Sequence, residues 1–250
     1  MENMIEQSLI DILAKANWVA VLTGAGVSAE SGISTFRDPD GLWSKFNPME
    51  LASIDGFMSN PNRVWEWYQY RRNIIHSTKP NAGHKAISEM QNLFPDFHLI
   101  TQNVDRLHQT AGSEGVLELH GNIIENHCFE CKKPYTKEID LSENSISHCD
   151  CGGMIRPSVV WFGEMLPHKV LAQSELIAEK CDVFFSIGTS AEVYPAASLP
   201  IIAKKNGAKV VEINPNVTAI SYLMDYVIRG TSAETLPLIV EEIKKARHSA

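Results

Sequence analysis

Short continuous runs of apolar residues alternate along this chain with longer stretches of helical periodicity. Residues 18–23, 97–101, 183–187 and 209–213 form four such runs, and residues 5–16 carry the pattern of an amphipathic helix. Strands that are apolar on both sides are typical of a parallel sheet covered by helices on both faces. The pattern therefore predicts an α/β fold with a Rossmann-like parallel sheet.

Residues 124–157 break this alternation and are too poor in apolar residues to form a core of their own. They carry four of the five cysteines, Cys128, Cys131, Cys149 and Cys151, as CxxC and CxC pairs. Four thiolates at this spacing can converge tetrahedrally on one zinc ion, and a site saturated with sulfur leaves no position for water or substrate. We therefore predict a small insert with one structural zinc ion; redox pairing of the thiols is the alternative.

One catalytic domain is expected over residues 1–250, with two inserts between the segments that build the sheet. The Rossmann-like part is predicted at about residues 1–45, 80–123 and 158–250, and a helical insert at about residues 46–79. The zinc-binding insert lies between the last two segments of the Rossmann-like part. The sequence shows no internal repeat, low-complexity tract or long linker.

Composition and charge narrow the classes of partner. The chain has 250 residues, of which 44% are hydrophobic and 21% are charged, and a formal net charge of -8. Surfaces that bind nucleic acid need clustered Lys and Arg, so no direct binding of nucleic acid is expected. No apolar stretch approaches the roughly 18 residues of a membrane span, and the N-terminus is acidic. We expect no membrane association, a cytoplasmic location, and a monomer, although the oligomeric state stays open.

The first predicted strand runs directly into residues 24–29, which read GAGVSA. The glycines of such a GxGxxA loop let the backbone approach a pyrophosphate, and the next helix offers its N-terminal amides. A strand-to-helix turn without a ligand is the alternative. A plain dehydrogenase would continue with a second strand, whereas residues 32–43 read as a loop. Phe36, Arg37 and Trp43 in this loop suggest a mobile cover over the nicotinamide end, or aromatic packing under a long loop.

Polar residues follow the strand predicted at residues 97–101. Gln102, Asn103 and Asp105 come directly after it, and His120 ends the next apolar alternation in front of a glycine. The carboxyl ends of parallel strands form the ligand crevice of an α/β sheet, so we expect these side chains to meet there. His120 is predicted to be a general base, with a structural histidine as the alternative. Most of the other eight histidines lie in polar segments and are expected to be solvated.

Taken in order, these motifs resemble the Sir2 family, the sirtuins, which are NAD-dependent protein deacylases. The resemblance covers nearly the whole chain. The matching segments are residues 24–28, 32–37, 102–105, 120–121, 160–164 and 188–190, the four cysteines and Asn214. The chain departs from the family pattern at Ser34, where proline is usual, and in the second cysteine pair, where CxxC is commoner than CxC.

The resemblance implies that NAD lies along the carboxyl edge of the sheet. It assigns NAD binding to Gly24, Ala25, Gly26, Ser28, Phe36, Arg37, Trp43, Gln102, Asn103, Asp105, Gly188, Thr189, Ser190, Asn214 and Ser232. It makes Asn103, Asp105 and His120 catalytic, with His120 taking a proton from a ribose hydroxyl. The products would be nicotinamide, O-acyl-ADP-ribose and free lysine. Transfer of ADP-ribose to a protein side chain, and binding of NAD or acyl-lysine without turnover, are the alternatives.

Acyl-lysine proteins or peptides are the expected substrates, bound as an extended strand beside the segment at residues 158–162. Val160, Phe162, Gly163 and Val193 are predicted to line this edge. The segment leaves the zinc-binding insert at a joint between two parts of the chain, where clefts are common. An interior strand without a free edge is the alternative.

A tyrosine and an arginine point to the kind of acyl group. Asn60-Pro61 predicts a helix start, and on this helix Tyr68 and Arg71 share a face because they are three residues apart. Arginine binds a carboxylate through two parallel hydrogen bonds, and a phenol supplies a third donor. With the small Ala52 upstream, the YxxR pair resembles the class III sirtuin branch, which removes succinyl and malonyl groups; acetyl-lysine would remain a substrate. A solvated arginine beside a core tyrosine, in a plain deacetylase, is the alternative.

Overall fold

The computed structural model describes residues 5–36, 41–137, 139 and 146–248, and of Trp43 it describes the backbone only. Six strands form the central sheet. They are β1 (Trp18–Thr23), β2 (Asp96–Thr101), β3 (Leu117–Glu118), β7 (Val183–Ile187), β8 (Lys209–Ile213) and β9 (Tyr226–Ile228). The order across the sheet is β3-β2-β1-β7-β8-β9, and every neighbouring pair is parallel. All four strands predicted from apolar runs are therefore present.

Helices cover both faces of this sheet. Helices α1 (Gln7–Lys15), α7 (Ala82–Met90) and α11 (Ser232–His248) lie on one face, and α9 (His168–Lys180) and α10 (Leu199–Lys205) lie on the other. Strand β1 shows why both faces need cover. Val19 and Val21 pack into the first helical layer, while Ala20 and Leu22 pack into the second. The predicted α/β class with a parallel sheet is confirmed.

The strand order reverses beside β1. From β1 the chain first builds outward through β2 and β3, and it then returns to add β7, β8 and β9 on the opposite side. Ligands of open α/β sheets bind outside the carboxyl ends of the strands at such a switch point. The short helices α2 (Gly26–Ala29) and α8 (Leu107–Thr110) follow β1 and β2 at this edge.

A second sheet and four helices form a smaller unit. The antiparallel sheet consists of β4 (Gly121–Cys128), β5 (Pro134–Tyr135) and β6 (Ile155–Val159) in the order β5-β4-β6, and the helices are α3 (Leu42–Lys45), α4 (Pro48–Leu51), α5 (Ile54–Ser59) and α6 (Pro61–Ser77). Phe57, Tyr68, Ile123 and Trp161 belong to one core that the helices and the sheet share. The polar cysteine-bearing segment thus obtains its apolar cover from the helices.

The strand predicted at residues 158–162 is wrong in its second half, because β6 ends at Val159. Beyond that point the chain leaves the ladder. The amide of Trp161 donates to Oε2 of Glu164 at 2.8 Å, and the amide of Val160 donates to the carbonyl oxygen of His120 at 2.9 Å. Apolar composition alone could not reveal that these amides find partners outside a sheet.

Helix α6 begins as the sequence predicts. The side chain of Asn60 accepts a hydrogen bond from the amide of Arg63, and Pro61 occupies the first turn. Further along, Nε of the buried Arg72 donates to the carbonyl oxygen of Ile123 at 2.6 Å. This bond ties α6 to β4 of the second sheet.

Two short 3-10 helices, Ala196–Ser198 and Ser221–Leu223, complete the elements. None of the helices in the described part of the chain is long and apolar enough to cross a membrane.

Candidate active site

A cavity of about 750 Å³ opens at the carboxyl ends of the central strands and extends toward α6 and the end of β6. Most residues of the predicted site line it. Those predicted to bind the cofactor are Gly24, Ala25, Gly26, Phe36, Gln102, Asn103, Gly188, Thr189, Ser190, Asn214 and Ser232. Those predicted to bind the substrate are Ala52, Tyr68, Arg71, Val160, Phe162, Gly163 and Val193. His120 also lines the cavity.

Glycines at the ends of β1 and β7 allow two loops to touch. The amide of Gly26 donates to the carbonyl oxygen of Gly188 at 2.8 Å. A Cβ atom on Gly26 would lie 2.9 Å from Cα of Gly188, and one on Gly24 would lie 2.7 Å from the carbonyl oxygen of Gly188. Gly188 itself has a positive φ of 60°. Side chains are therefore excluded here, and the cavity floor at this end consists of backbone.

Two predicted residues lie behind the cavity wall. Oγ of Ser28 donates to Oδ2 of Asp105 at 2.7 Å, and the other carboxylate oxygen accepts from the amide of Leu107 at 2.9 Å. Nδ2 of Asn103 donates to the carbonyl oxygen of Gly24 at 3.0 Å and approaches Oγ of Ser28 at 3.3 Å. Gly24 and Ser28 thus hold Asn103 at the cavity surface, and Asp105 in turn accepts from Ser28. The contacts of Ser28 and Asp105 with NAD stay predictions.

Two further predicted residues cannot be placed. Arg37 lies outside the described residues, and so does the side chain of Trp43. Phe36, the third residue singled out in the cofactor loop, lines the cavity.

The ring of His120 has a defined tautomer. Its Nδ1 lies 3.0 Å from the carbonyl oxygen of Gln102. A carbonyl oxygen can only accept a hydrogen bond, so Nδ1 carries the proton and, in the neutral ring, Nε2 carries the lone pair. The ring is half-buried and lies where the sequence predicts a base. Such an imidazole can accept a proton from a ligand in the cavity.

The opposite end of the cavity holds a buried cation. The guanidinium of Arg71 lies 5.1 Å from the ring centroid of Phe36 and 4.9 Å from that of Trp67. Arg71 is 7% exposed and Tyr68 is 1% exposed, which contradicts the alternative of a solvated arginine. Burial lowers the pKa of the Arg71 guanidinium and raises the pKa of the Tyr68 hydroxyl. The phenol therefore keeps its proton at neutral pH.

The donors of this pair have no acceptor of their own in the described part of the chain. No carboxylate forms an ion pair with Arg71, and no atom accepts the hydroxyl proton of Tyr68 among the described contacts. Stacking on two aromatic rings compensates part of the burial of a guanidinium but supplies no acceptor for its N–H donors. The geometry is suited to a ligand that carries oxygen acceptors and negative charge.

The segment after β6 forms one rim of the cavity. The amide of Phe162 donates to the carbonyl oxygen of Ala52 at 2.8 Å, and the ring of Phe162 is 39% exposed. Because β6 is the edge strand of its sheet, the chain leading into this rim has an open side. The alternative of an interior strand without a free edge is therefore wrong for β6. A strand edge of this kind can pair with an extended peptide.

The four cysteines of the insert come together away from the cavity. The sulfur atoms of Cys128, Cys131, Cys149 and Cys151 all lie within 4.8 Å of one another, with Cys128 and Cys151 at 3.5 Å and Cys131 and Cys149 at 3.8 Å. Sulfur ligands at the usual Zn–S distance of about 2.3 Å in a tetrahedron are about 3.8 Å apart. All four are free thiols. The cluster is suited to one structural zinc ion, and redox pairing finds no support.

Two buried histidines behind the cavity were not predicted. His84 and His108 are 0% and 1% exposed, and their rings lie 4.8 Å apart. Nε2 of His108 contacts Oγ1 of Thr23 at 2.9 Å, and Nδ1 of His84 accepts from the amide of Asn81 in a capping box. The expectation of solvated histidines is wrong for both. Asn81 stands three residues before His84, which is the spacing of a helix capping box. This spacing is the sequence signal from which a structural role of His84 could have been predicted.

Comparison with known proteins identifies the family. The model of the Sir2 family matches residues 24–195 of this chain. The chain belongs to the Sir2 family. A curated member from Aquifex aeolicus (strain VF5), named NAD-dependent protein deacylase, is 47% identical over 228 residues, which cover 91% of this chain and 95% of that protein. The resemblance predicted from the motifs is confirmed.

Solved structures of Sir2 proteins share the fold over nearly the whole chain. A mutant Sir2 homologue in complex with ADP-ribose superposes with a TM-score of 0.95 at 42% identity, covering 98% of this chain and 99% of that chain. A complex of Sir2 with a p53 peptide and NAD+ superposes with a TM-score of 0.83 at 32% identity, covering 94% of this chain and 97% of that chain. NAD is the cofactor of this family, and the glycine-floored cavity fits a dinucleotide.

The buried histidines make a prediction for the stability of this Sir2 fold. Burial lowers the pKa of His84 to about 4 and that of His108 to about 3, whereas an unfolded histidine titrates near 6.5. Between pH 6.5 and 4 the unfolded chain binds the extra protons. The free energy of unfolding is therefore expected to fall with falling pH by about 1.4 kcal/mol per pH unit for each histidine, as measured by urea unfolding.

The variant His108→Gln isolates one of these groups. We expect its free energy of unfolding to depend less steeply on pH between 6.5 and 4 than that of the unaltered protein, because one titrating site has been removed. The exposed His168 provides the control, since His168→Gln should keep the original slope. Equal slopes for His108→Gln and the unaltered protein would show that His108 is not the buried neutral group.

Proposed function

We propose that this chain removes succinyl and malonyl groups, as well as acetyl groups, from lysine side chains of proteins. NAD-dependent protein deacylation is the activity that its Sir2 relatives are named for. The preference for acidic acyl groups rests on one observation, the buried guanidinium of Arg71 beside the phenol of Tyr68 with no acceptor for either among the described residues.

Energetics favour an anionic ligand for this pair. Moving an ion from water into the protein interior without a partner costs several kcal/mol of free energy, even after the surrounding protein has relaxed. Asp105 attracts the Arg71 guanidinium but forms no ion pair with it among the described residues. A carboxylate at the end of the acyl chain would accept from both side chains, with two parallel hydrogen bonds from Arg71. An acetyl group is shorter and fits the same space without using these donors, so acetyl-lysine remains a substrate.

The residues that would hold NAD lie at the other end of the cavity. The backbone floor formed by Gly24, Gly26 and Gly188 would receive the pyrophosphate, and Asn214 with Ser232 would lie near the adenosine. Asn103, held by Gly24 and Ser28, would contact the nicotinamide ribose. When bound, NAD supplies an electrophilic ribose carbon for the acyl oxygen and a ribose hydroxyl that accepts the acyl group.

His120 carries the proton chemistry in this proposal. Its Nδ1 is fixed by the carbonyl oxygen of Gln102, so Nε2 is the atom that would take the proton from the ribose hydroxyl. Apolar side chains that line the cavity, among them Val104 and Val160, would limit the access of competing water. A protein that only binds NAD has no use for a base with a fixed tautomer, which disfavours the alternative of binding without turnover.

The substrate would enter along the rim formed by Val160, Phe162 and Gly163. Backbone pairing at an edge strand accepts many side-chain sequences around one lysine. A p53 peptide is present in the Sir2 complex that shares this fold, which supports a peptide as the partner here. Val193, also at the cavity, would line the same entrance.

One comparison tests the proposal. Nicotinamide release and free lysine are measured with a single peptide carrying succinyl-lysine, acetyl-lysine or unmodified lysine. We expect turnover with both acylated peptides and a KM about tenfold lower for the succinyl peptide, the effect of one or two charge-assisted hydrogen bonds. Release that is no faster with succinyl-lysine than with unmodified lysine would contradict the proposal. Label from NAD on the peptide would indicate transfer of ADP-ribose instead.

A further inference from the structure

The hydroxyl of Tyr68 receives a hydrogen bond from Trp161, which lies in the matching segment 160–164 but received no role of its own from the sequence. Nε1 of Trp161 donates to it at 2.9 Å, and the two rings are tilted by 35° with centroids 6.4 Å apart. An indole N–H is a donor only, whereas a phenol both donates and accepts. The bond therefore occupies a lone pair of the Tyr68 oxygen and cannot take its proton. That proton is directed to whatever else lies in the cavity.

Trp161 is itself held on several sides. The guanidinium of the buried Arg156 lies 3.3 Å from the ring centroid of Trp161, and the ring of Phe57 lies at 5.1 Å. Arg156 donates two hydrogen bonds to Glu164, at 2.6 and 2.9 Å, and Glu164 in turn accepts the amide of Trp161 at 2.8 Å. Burial alone would raise the pKa of Glu164, but the bonds from Arg156 and Trp161 lower it overall. The Glu164 carboxylate is thus charged, and these contacts fix the orientation of the Trp161 ring.

We propose that Trp161, held by the Arg156–Glu164 ion pair, is a positioning residue for acyl selectivity, because it makes the Tyr68 hydroxyl a donor toward the carboxylate of an acidic acyl group. This inference rests on the proposed preference for acidic acyl groups. Trp161 lines the cavity beside Tyr68, and the proposed role concerns its hydrogen bond to the Tyr68 hydroxyl. It acts through Tyr68 by fixing both the place of the oxygen and the direction of its proton.

The variant Trp161→Phe tests this role, because phenylalanine keeps an aromatic ring but has no N–H. We expect the ratio of succinyl to acetyl kcat/KM to fall about fivefold, mainly through the KM for the succinyl peptide, as the loss of one hydrogen bond predicts. In a Tyr68→Phe background the same substitution should leave the ratio unchanged. A purely structural role would instead lower both activities together and would act equally in both backgrounds.

Trp65 provides a matched control. It is also a buried tryptophan in this unit, 1% exposed, but its Nε1 has no partner among the described residues. Trp65→Phe should therefore leave the succinyl-to-acetyl ratio unchanged. If Trp161→Phe proves too unstable to assay, Glu164→Gln loosens the same contacts and should lower the ratio in the same direction.

The outcomes separate this inference from the function on which it rests. If Tyr68→Phe and Arg71→Met lower the ratio but Trp161→Phe and Glu164→Gln do not, the positioning role is refuted and the acidic-acyl preference stands. If Tyr68→Phe and Arg71→Met themselves leave the ratio unchanged, the acidic-acyl preference fails, and the role of Trp161 fails with it.

Discussion

Replacing His120 with tyrosine is expected to reduce deacylation about 1,000-fold, within the range that a general base contributes. The Nε2 lone pair of His120 is set by the bond from Nδ1 to the carbonyl oxygen of Gln102. A tyrosine hydroxyl has a pKa near 10 and cannot accept a proton at neutral pH. The measurement is the rate of free lysine formation from an acylated peptide at saturating NAD.

A second readout locates the step that is lost. We expect nicotinamide to leave as the acyl oxygen attacks the ribose carbon, before His120 takes the proton from the ribose hydroxyl. His120→Tyr should therefore still exchange labelled nicotinamide into NAD while forming no free lysine. The exposed His168 gives the control, because His168→Tyr should retain full activity. Full turnover by His120→Tyr, with zinc still bound, would remove His120 from its assigned role.

The sequence predicts the central strands accurately because helices bury both faces of each one. Strand β1 matches its predicted bounds, as do β7 and β8. The edge strand β9 escapes prediction, since its three residues cannot form a distinct apolar run, whereas β3 lies within the apolar alternation that precedes His120. Strand β6 was extended too far because Trp161 is apolar, although its amide bonds to Glu164 and not to a neighbouring strand.

The site is predictable where polar residues directly follow a strand. Asn103 and His120 reach the cavity because the carboxyl ends of neighbouring parallel strands meet at one edge. The burial of His108 depends on tertiary contact with Thr23, which is 85 positions away in sequence. The bond between Trp161 and Tyr68 spans 93 positions. Periodicity relates only residues that are close together in the sequence. It could therefore predict neither the burial of His108 nor the bond between the indole of Trp161 and the phenol of Tyr68.

Replacing Arg71 with methionine is expected to lower kcat/KM for a succinyl peptide about a hundredfold and to lower it far less for the acetyl peptide. The loss corresponds to breaking a buried ion pair of about 3 kcal/mol in the bound complex. For Arg71→Lys, we expect a kcat/KM for the succinyl peptide between those of the unaltered protein and Arg71→Met. An ammonium keeps the charge but cannot form the two parallel hydrogen bonds of a guanidinium. Steady-state kinetics with both peptides measure the difference.

Stability distinguishes a binding arginine from a structural one. In the free protein Arg71 is buried without an ion-pair partner among the described residues, so methionine should leave the melting temperature equal or higher. A structural ion pair would instead cost several kcal/mol when broken. Arg63, exposed on the same helix, supplies the control, because Arg63→Met should change neither kinetics nor acyl preference. Equal losses for succinyl and acetyl peptides in Arg71→Met would refute the carboxylate contact, since only the succinyl group carries the charge that the guanidinium would bind.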